Sequence, residues 1–271
     1  MSDLSGVQRI AAVFARARAE GRAALMPYLA LGYPTPEASS ALVEAAVTAG
    51  ADLLELGIPF SDPLADGPII QWATHVALQQ GMTVARCLER VAGLRARGFA
   101  TPILLMGYYN PILAHGEAAF CHACRAVGVD GLIVPDLPPE EGRTLDEACR
   151  QHGLALVYLL APTSPPARIR LVADRSQGFI YLVSVTGITG TRDRLPPDLA
   201  AFVRRVRAET DKPLAVGFGI STPEQARQVA ALADGVIVGS AVVRLAAEAN
   251  GVERVRSFVA QLRRAMTEQE P

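Results

Sequence analysis

Lysine is almost absent from this chain. Of its 26 basic residues only Lys212 is a lysine, and the other 25 are arginine. Enzymes that form Schiff bases, with a sugar phosphate or with pyridoxal phosphate, need a lysine in the site. Only one side chain here is a candidate. Cysteine is scarce as well. The four, at positions 87, 121, 124 and 149, are too few for a disulfide scaffold and suit a reducing compartment. Cys121-His122-Ala123-Cys124 does spell C-x-x-C. A redox pair needs a helix N-terminus, zinc needs a second pair, and haem attachment needs histidine where Arg125 stands. The run from Ala118 to Val127 reads as the middle of a helix, so both thiols are expected to be buried. No apolar run is long. The longest clean one, Leu154 to Ala161, falls far short of the ~18 residues of a membrane span. The start, Met1-Ser-Asp-Leu-Ser, lacks the positive charge of a signal peptide, which sets the expectation of a cytoplasmic protein. Neither sign of charge is in excess. The balance of 26 against 27 gives −1, which argues against a general nucleic-acid binder.

What is present is core. The 271 residues are 50% hydrophobic and 20% charged. Area scaling for this size gives roughly 11,000 Å² folded against about 42,000 Å² unfolded, so no staples are needed. Short apolar runs alternate with longer amphipathic stretches along the whole length. The runs are Ala24–Leu31, Asp52–Ile58, Pro102–Gly107, Gly131–Pro135, Leu154–Ala161, Phe179–Val185, Leu214–Phe218 and Gly235–Val238. Continuous apolar runs of this length fit parallel strands buried on both faces.

Between them the spacing predicts helices over Pro36–Ala49, Thr83–Arg97, Glu117–Val127, Glu140–His152, Pro166–Arg175, Pro197–Thr210, Pro223–Leu232 and Gly251–Met266. Gly50, Gly98, Gly128 and Gly153 sit just past helix ends. Leu4 to Ala19 precedes the first strand as an extra helix, expected to cap the bottom. Eight β-then-α units without a low-complexity linker give an α/β fold: a single (β/α)8 TIM-barrel domain over residues 1–271, with an extra N-terminal helix. A doubly wound open sheet is the alternative. It would carry G-x-G-x-x-G after the first strand, where this chain has Ala30-Leu-Gly-Tyr-Pro34.

Barrel chemistry lies at the C-terminal strand ends. Lys212 opens the seventh predicted strand, at the opposite face, so Schiff-base catalysis is not expected. Glu55 lies near the end of the second strand. A buried carboxylate there is costly unless paired or protonated, and burial raises its pKa into the range useful for giving and taking a proton. A structural salt bridge is the competing reading. Asp62 and Asp66 follow on a loop of about ten residues, long enough at a barrel mouth to be functional. Taken singly, either reads as a turn residue. The last two strands end in Gly217-Phe-Gly219-Ile-Ser221 and Val238-Gly239-Ser240, where many barrels bind phosphate. Thr186-Gly-Ile-Thr189-Gly190 adds a third glycine-bearing loop, and the stretch 187–196 is long enough to act as a lid.

These segments resemble those of the tryptophan synthase α chain family. The resemblance rests on Glu55-Leu-Gly-Ile-Pro-Phe-Ser-Asp-Pro-Leu-Ala-Asp-Gly-Pro68, Met106-Gly-Tyr-Tyr-Asn-Pro111, Gly131-Leu-Ile-Val-Pro-Asp136, Tyr181-Leu-Val-Ser-Val-Thr-Gly-Ile-Thr-Gly190, Gly217 to Ser221, and Gly239-Ser240. It covers about residues 20–245. It implies a lyase of tryptophan biosynthesis that cleaves indole-3-glycerol phosphate to indole and glyceraldehyde 3-phosphate. By resemblance Glu55 is the proton carrier, and Asp66 is the carboxylate on the indole N–H. Tyr28 lies against the indole and Tyr181 beside Glu55 in the substrate pocket, Gly190, Gly219, Gly239 and Ser240 hold the substrate's phosphate, and Thr189 supports Asp66 from the lid.

The resemblance also implies a partner, a β chain carrying pyridoxal phosphate, in an α2β2 assembly. No cofactor or metal is expected on this chain. Asp62, Asn110, Asp136 and Pro138 are the expected partner rim, where Tyr108-Tyr-Asn-Pro111 and Asp136-Leu-Pro-Pro139 put prolines and apolar groups on exposed loops. Three readings compete with this one: a lyase that works alone and releases free indole, another phosphosugar barrel, and a non-catalytic activator of a partner.

Overall fold

The structure, a computed structural model, describes residues 4–183, 195–217 and 219–267. Its nine parallel strands are β1 (Ala24–Ala30), β2 (Leu54–Gly57), β3 (Ile103–Met106), β4 (Gly131–Ile133), β5 (Ala155–Val157), β6 (Leu159–Leu160), β7 (Ile180–Val183), β8 (Leu214–Gly217) and β9 (Gly235–Val238). They follow one another in the order β5-β4-β3-β2-β1-β9-β8-β7-β6. β5 and β6 are one stave, parted only at Tyr158. The Tyr158 N–H goes to Ser176 Oγ at 3.0 Å, while its carbonyl accepts the Tyr181 N–H at 3.1 Å. The stave therefore pairs with β4 before the break and with β7 after it. Nine strands thus make the eight staves of a (β/α)8 barrel. The accessible surface, 11608 Å², agrees with the area scaling.

Helices wrap the staves. Glu117–Val127 and Pro166–Arg175 stand where the spacing places them. Gly50, Gly98, Gly128 and Gly153 all take positive φ at helix ends. Two helices were not expected. Pro68–Gln79 follows the loop after β2, and Tyr109–His115 opens in what reads from sequence as an exposed loop. Cys121 and Cys124 are fully buried within their helix, and the Cys121 sulfur lies 3.7 Å from that of Cys149.

The bottom of the barrel uses seven of the arginines. Asp52, Asp130 and Asp234 each precede a strand. Each accepts a backbone N–H from the start of the neighbouring strand: Leu25 at 2.9 Å, Ile103 at 2.8 Å and Leu214 at 2.9 Å. Each also meets arginines. Arg22, Arg16 and Arg263 reach Asp52, Arg9 and Arg95 reach Asp130, and Arg18 and Arg207 reach Asp234. Arg22 grips both Asp52 oxygens, at 2.8 and 2.9 Å. A rigid guanidinium fork suits such pairing, where a single ammonium does not.

The helix Gly6–Ala19 lies across this end. Ser5 and Gln8 cap it reciprocally, and the Gly6 N–H reaches the Gly153 carbonyl at 2.8 Å. Gly6 passes so close to Asp130 that a Cβ would lie 2.0 Å from its carbonyl oxygen. Phe14 closes the barrel floor against Phe179, with ring centroids 5.5 Å apart. Lys212 is at this end too. Its Nζ donates to the carbonyls of Ala173 (2.5 Å), Asp174 (3.2 Å) and Ser176 (2.7 Å). It serves as a C-terminal cap for the helix Pro166–Arg175.

Candidate active site

The opposite end carries the chemistry. Strand register places Glu55 on β2 between Tyr28 of β1 and Leu104 of β3. The Glu55 side chain is 3% exposed, and its Oε2 is buried without a hydrogen-bond partner. No arginine pairs with it among the described residues, so the salt-bridge reading of Glu55 finds no support. Burial, reinforced by the charge of Asp66, pushes its carboxyl up to about 8.

Asp66 closes the loop between β2 and the helix Pro68–Gln79. Its N–H donates to the Pro63 carbonyl at 3.1 Å, and Gln71 from that helix donates to its carbonyl at 2.8 Å. Its Oδ2 accepts the Tyr108 hydroxyl at 3.0 Å. Burial raises Asp66 to about 6, and the Tyr108 hydrogen bond pulls the other way.

Tyr28 and Tyr181 are buried on β1 and β7. Burial, and then the two carboxylates, hold both phenols well above their usual range, so they stay protonated. Glycines make room for both rings. A Cβ on Gly57 would lie 2.0 Å from the Tyr28 hydroxyl oxygen, and one on Gly217 would lie 2.3 Å from that of Tyr181. The other two glycines differ in kind. Gly219 takes φ +80° with open space around it, so its backbone conformation demands glycine. A Cβ on Gly239 would meet only Tyr28, at an ordinary 3.6 Å. There glycine keeps space empty above the start of the helix Ser240–Ala246.

These residues bound one pocket. Tyr28, Glu55, Asp66, Tyr181, Gly219, Gly239 and Ser240 all line it. Thr189 and Gly190 lie outside the described residues. Ile70, Met106 and Ile237 complete the wall and were missed in the sequence. Strand alternation carries a signal for one of them. Leu104 pairs with Glu55, and Met106 lies two residues further on the same face. Among the described residues no three His, Cys, Asp or Glu side chains gather to hold a metal ion. No described helix is long and apolar enough to cross a membrane.

The rim is only partly as expected. Asp62 and Asn110 are exposed, and Pro138 is half-buried. Asp136 is exposed but engaged, accepting the Tyr109 N–H at 3.0 and 3.2 Å. Tyr108, Leu137 and Pro139, expected on exposed loops, are buried. Tyr108 braces the mouth from within, through its hydroxyl bonds to Asp66 and to the Ala65 N–H. Leu64 and Trp72 face solvent instead, at 92% and 61% exposure.

The chain is similar in sequence and in fold to known proteins. The family model for the tryptophan synthase alpha chain matches residues 14–270. The alpha chain of Dehalococcoides mccartyi is 50% identical over 245 residues, 90% of this chain and 96% of that one. The alpha chain of Chloroflexus aurantiacus is 49% identical over 261 residues, 96% and 98% of the two chains. A chain in a crystal structure of Mycobacterium tuberculosis tryptophan synthase superposes with a TM-score of 0.90 at 39% identity, covering 98% of this chain and 100% of that one. The alpha subunit from Legionella pneumophila superposes at 0.89 with 37% identity, covering 95% and 98%. With the same barrel, and with a mouth that gathers Glu55, Asp66 and the two glycine-bearing strand ends, the chain belongs to the tryptophan synthase alpha chain family.

Proposed function

We propose how this barrel performs the family's lyase reaction, the retro-aldol cleavage of indole-3-glycerol phosphate to indole and glyceraldehyde 3-phosphate. Protonated Glu55 gives its proton to indole C3. Asp66, as the anion, accepts the indole N–H and stabilises the positive charge that develops on the ring. The Glu55 carboxylate then takes the proton of the glycerol hydroxyl next to the ring. That C–O becomes the aldehyde carbonyl, the C–C bond breaks, and its electron pair restores the indole. Glu55 ends protonated, ready for the next turn. Tyr28 packs against the ring, and Tyr181 stands beside Glu55. Gly219, Gly239, Ser240 and, by resemblance, Gly190 receive the phosphate, and Thr189 supports Asp66.

One observation carries the reading. A buried Glu55 oxygen has no partner in a pocket that Asp66 also lines. Indole release from indole-3-glycerol phosphate by the purified chain tests it directly. No release, with or without a β chain, would overturn it.

The two carboxyl groups give a pH signature. Glu55 must carry a proton, and that form is lost as pH rises through about 8. Asp66 must be ionised, and that form is lost as pH falls through about 6. Activity should peak between these values, with limbs that belong to the pair. The alkaline limb is diagnostic, because the substrate phosphate itself titrates near ~6. A kcat/KM that stays flat to about pH 10 would remove Glu55 as the acid.

The partner we assign is a tryptophan synthase β chain bearing pyridoxal phosphate, in a cytoplasmic α2β2 complex. The absence of a lysine at the mouth supports a chain without a Schiff base of its own. The exposed rim of Asp62, Asn110, Asp136 and half-buried Pro138 is the docking face. Asp62→Ala and Asn110→Ala should leave basal cleavage and stability near wild type, and both should reduce the activation gained on adding β chain. Titrating β chain against all three, with indole as readout, checks this. Equal activation would place docking elsewhere or favour a lyase that works alone.

A further inference from the structure

The pocket's carboxylates are not equally free. Glu55 Oε2 has no partner, whereas Asp66 is held by a residue outside the reaction as written. Tyr108 lies at the end of β3, 5% exposed. Its hydroxyl donates to Asp66 Oδ2 at 3.0 Å and accepts the Ala65 N–H at 3.0 Å. One oxygen atom thus grips both the catalytic side chain and the backbone just before it.

The ring itself has little freedom. It stacks on Phe60 from the same loop, with centroids 5.3 Å apart and planes at 29°. The next residue, Tyr109, starts a helix whose first N–H is taken by Asp136. Loops after β2, β3 and β4 therefore meet at Tyr108. A donor fixed in this way leaves Asp66 one oxygen for the substrate and selects the orientation in which it points there.

We infer that Tyr108 is a positioning residue for the cleavage reaction, holding Asp66 in its working orientation through the hydroxyl-to-Oδ2 hydrogen bond. The inference rests on the reaction proposed above. Its chemistry is specific. The bond favours the carboxylate over the acid, so removing it should make Asp66 easier to protonate. The groups that face this pair are Glu55 from β2, Tyr28 from β1, Tyr181 from β7 and, toward Tyr108, Asp136 from the loop after β4. None of these is a cation that would offset the loss.

The test is a double-mutant cycle on the full chain saturated with a β chain, read as indole release. Wild type, Tyr108→Phe, Asp66→Asn and the double variant are compared. Tyr108→Phe should lower kcat about tenfold with KM within about twofold, the pattern of an interaction that matters in the transition state. The acid limb of its kcat profile should move to higher pH. In the Asp66→Asn background the same substitution should change kcat less than about twofold, because the group it acts through is gone. A Tyr108→Phe kcat within about twofold of wild type would overturn the inference. So would an equal fold loss with and without the Asp66 carboxylate, which would mark Tyr108 as loop packing only. A wild type silent toward indole-3-glycerol phosphate would instead defeat the reaction itself.

Discussion

Glu55→Gln is expected to lower indole release at least ~10²-fold, the usual scale for one positioned acid–base group. The substitution keeps shape and hydrogen-bonding capacity but removes the proton that must reach indole C3. The pocket offers no substitute. Among its lining residues Asp66 is ionised where Glu55 is protonated, and both tyrosines hold their protons too tightly to trade them near neutral pH. The loss should fall on kcat and on kcat/KM alike, with substrate affinity nearly kept, since Glu55 acts only as the bond breaks. The fold should hold or gain slightly, because a neutral amide escapes the cost of protonating on folding a carboxyl that is ionised in the unfolded chain near neutral pH. Single-turnover indole formation is the cleanest readout. Indole produced at near the wild-type rate would place the proton carrier elsewhere.

Asp130→Ala should act on the other end and on stability alone. Asp130 is fully buried and bonds the Ile103 N–H at 2.8 Å, tying the start of β3 to β4. Arg95 reaches its Oδ2 at 2.8 Å. Arg9 approaches Oδ1 at 3.0 Å as an ion pair, without the alignment of a hydrogen bond. Removing the carboxylate takes the acceptor from the Ile103 N–H and the counter-ion from two largely buried guanidinium groups, which keep only their bonds to backbone carbonyls. Breaking a buried pair in this way costs about 3–5 kcal/mol. For a chain of this length that corresponds to a fall in melting temperature on the order of 10 °C. Basal cleavage measured well below the transition should be unchanged, because the pocket lies at the far end of the staves. A melting temperature within a degree or two of wild type would mean that the bottom network contributes no more than surface ion pairs do.

Much of this architecture is legible from local signals. Alternating runs and caps place all eight staves, and Glu117–Val127 and Pro166–Arg175 need nothing beyond their own residues. What escapes is what depends on distant parts of the chain. The break at Tyr158 reflects a change of partner strand, which no local pattern reveals. The helix Tyr109–His115 draws its cap from Asp136, 27 residues away, so its start carries only Tyr108, a poor N-cap by type. The helix Pro68–Gln79 did leave a trace, with proline in its first turn and Ile70, Ala73, Thr74 and Ala77 on one buried face.

At the mouth, Glu55 and Asp66 stand out because a carboxylate at a strand end and two on a long loop are anomalies in an apolar setting. Tyr108 does not stand out, since a buried tyrosine is ordinary until its partner is known. The arginines show the same limit. Their excess over lysine is plain in the composition, but its use in clamping strand starts to one another appears only in three dimensions.

The helix Pro68–Gln79 also gives the molecule an optical handle. Trp72 is the chain's only tryptophan and stands on that helix, mostly open to water. One residue before it, Gln71 is bonded to the carbonyls of Pro63 and Asp66. The indole ring of Trp72 is thus mounted at the foot of the catalytic loop. Its emission arises from one site and needs no label. A shift to shorter wavelength on mixing with a tryptophan-free β chain would report water leaving that one ring. Stopped-flow fluorescence of the unmodified chain can then time docking separately from the appearance of indole, and so order the two events.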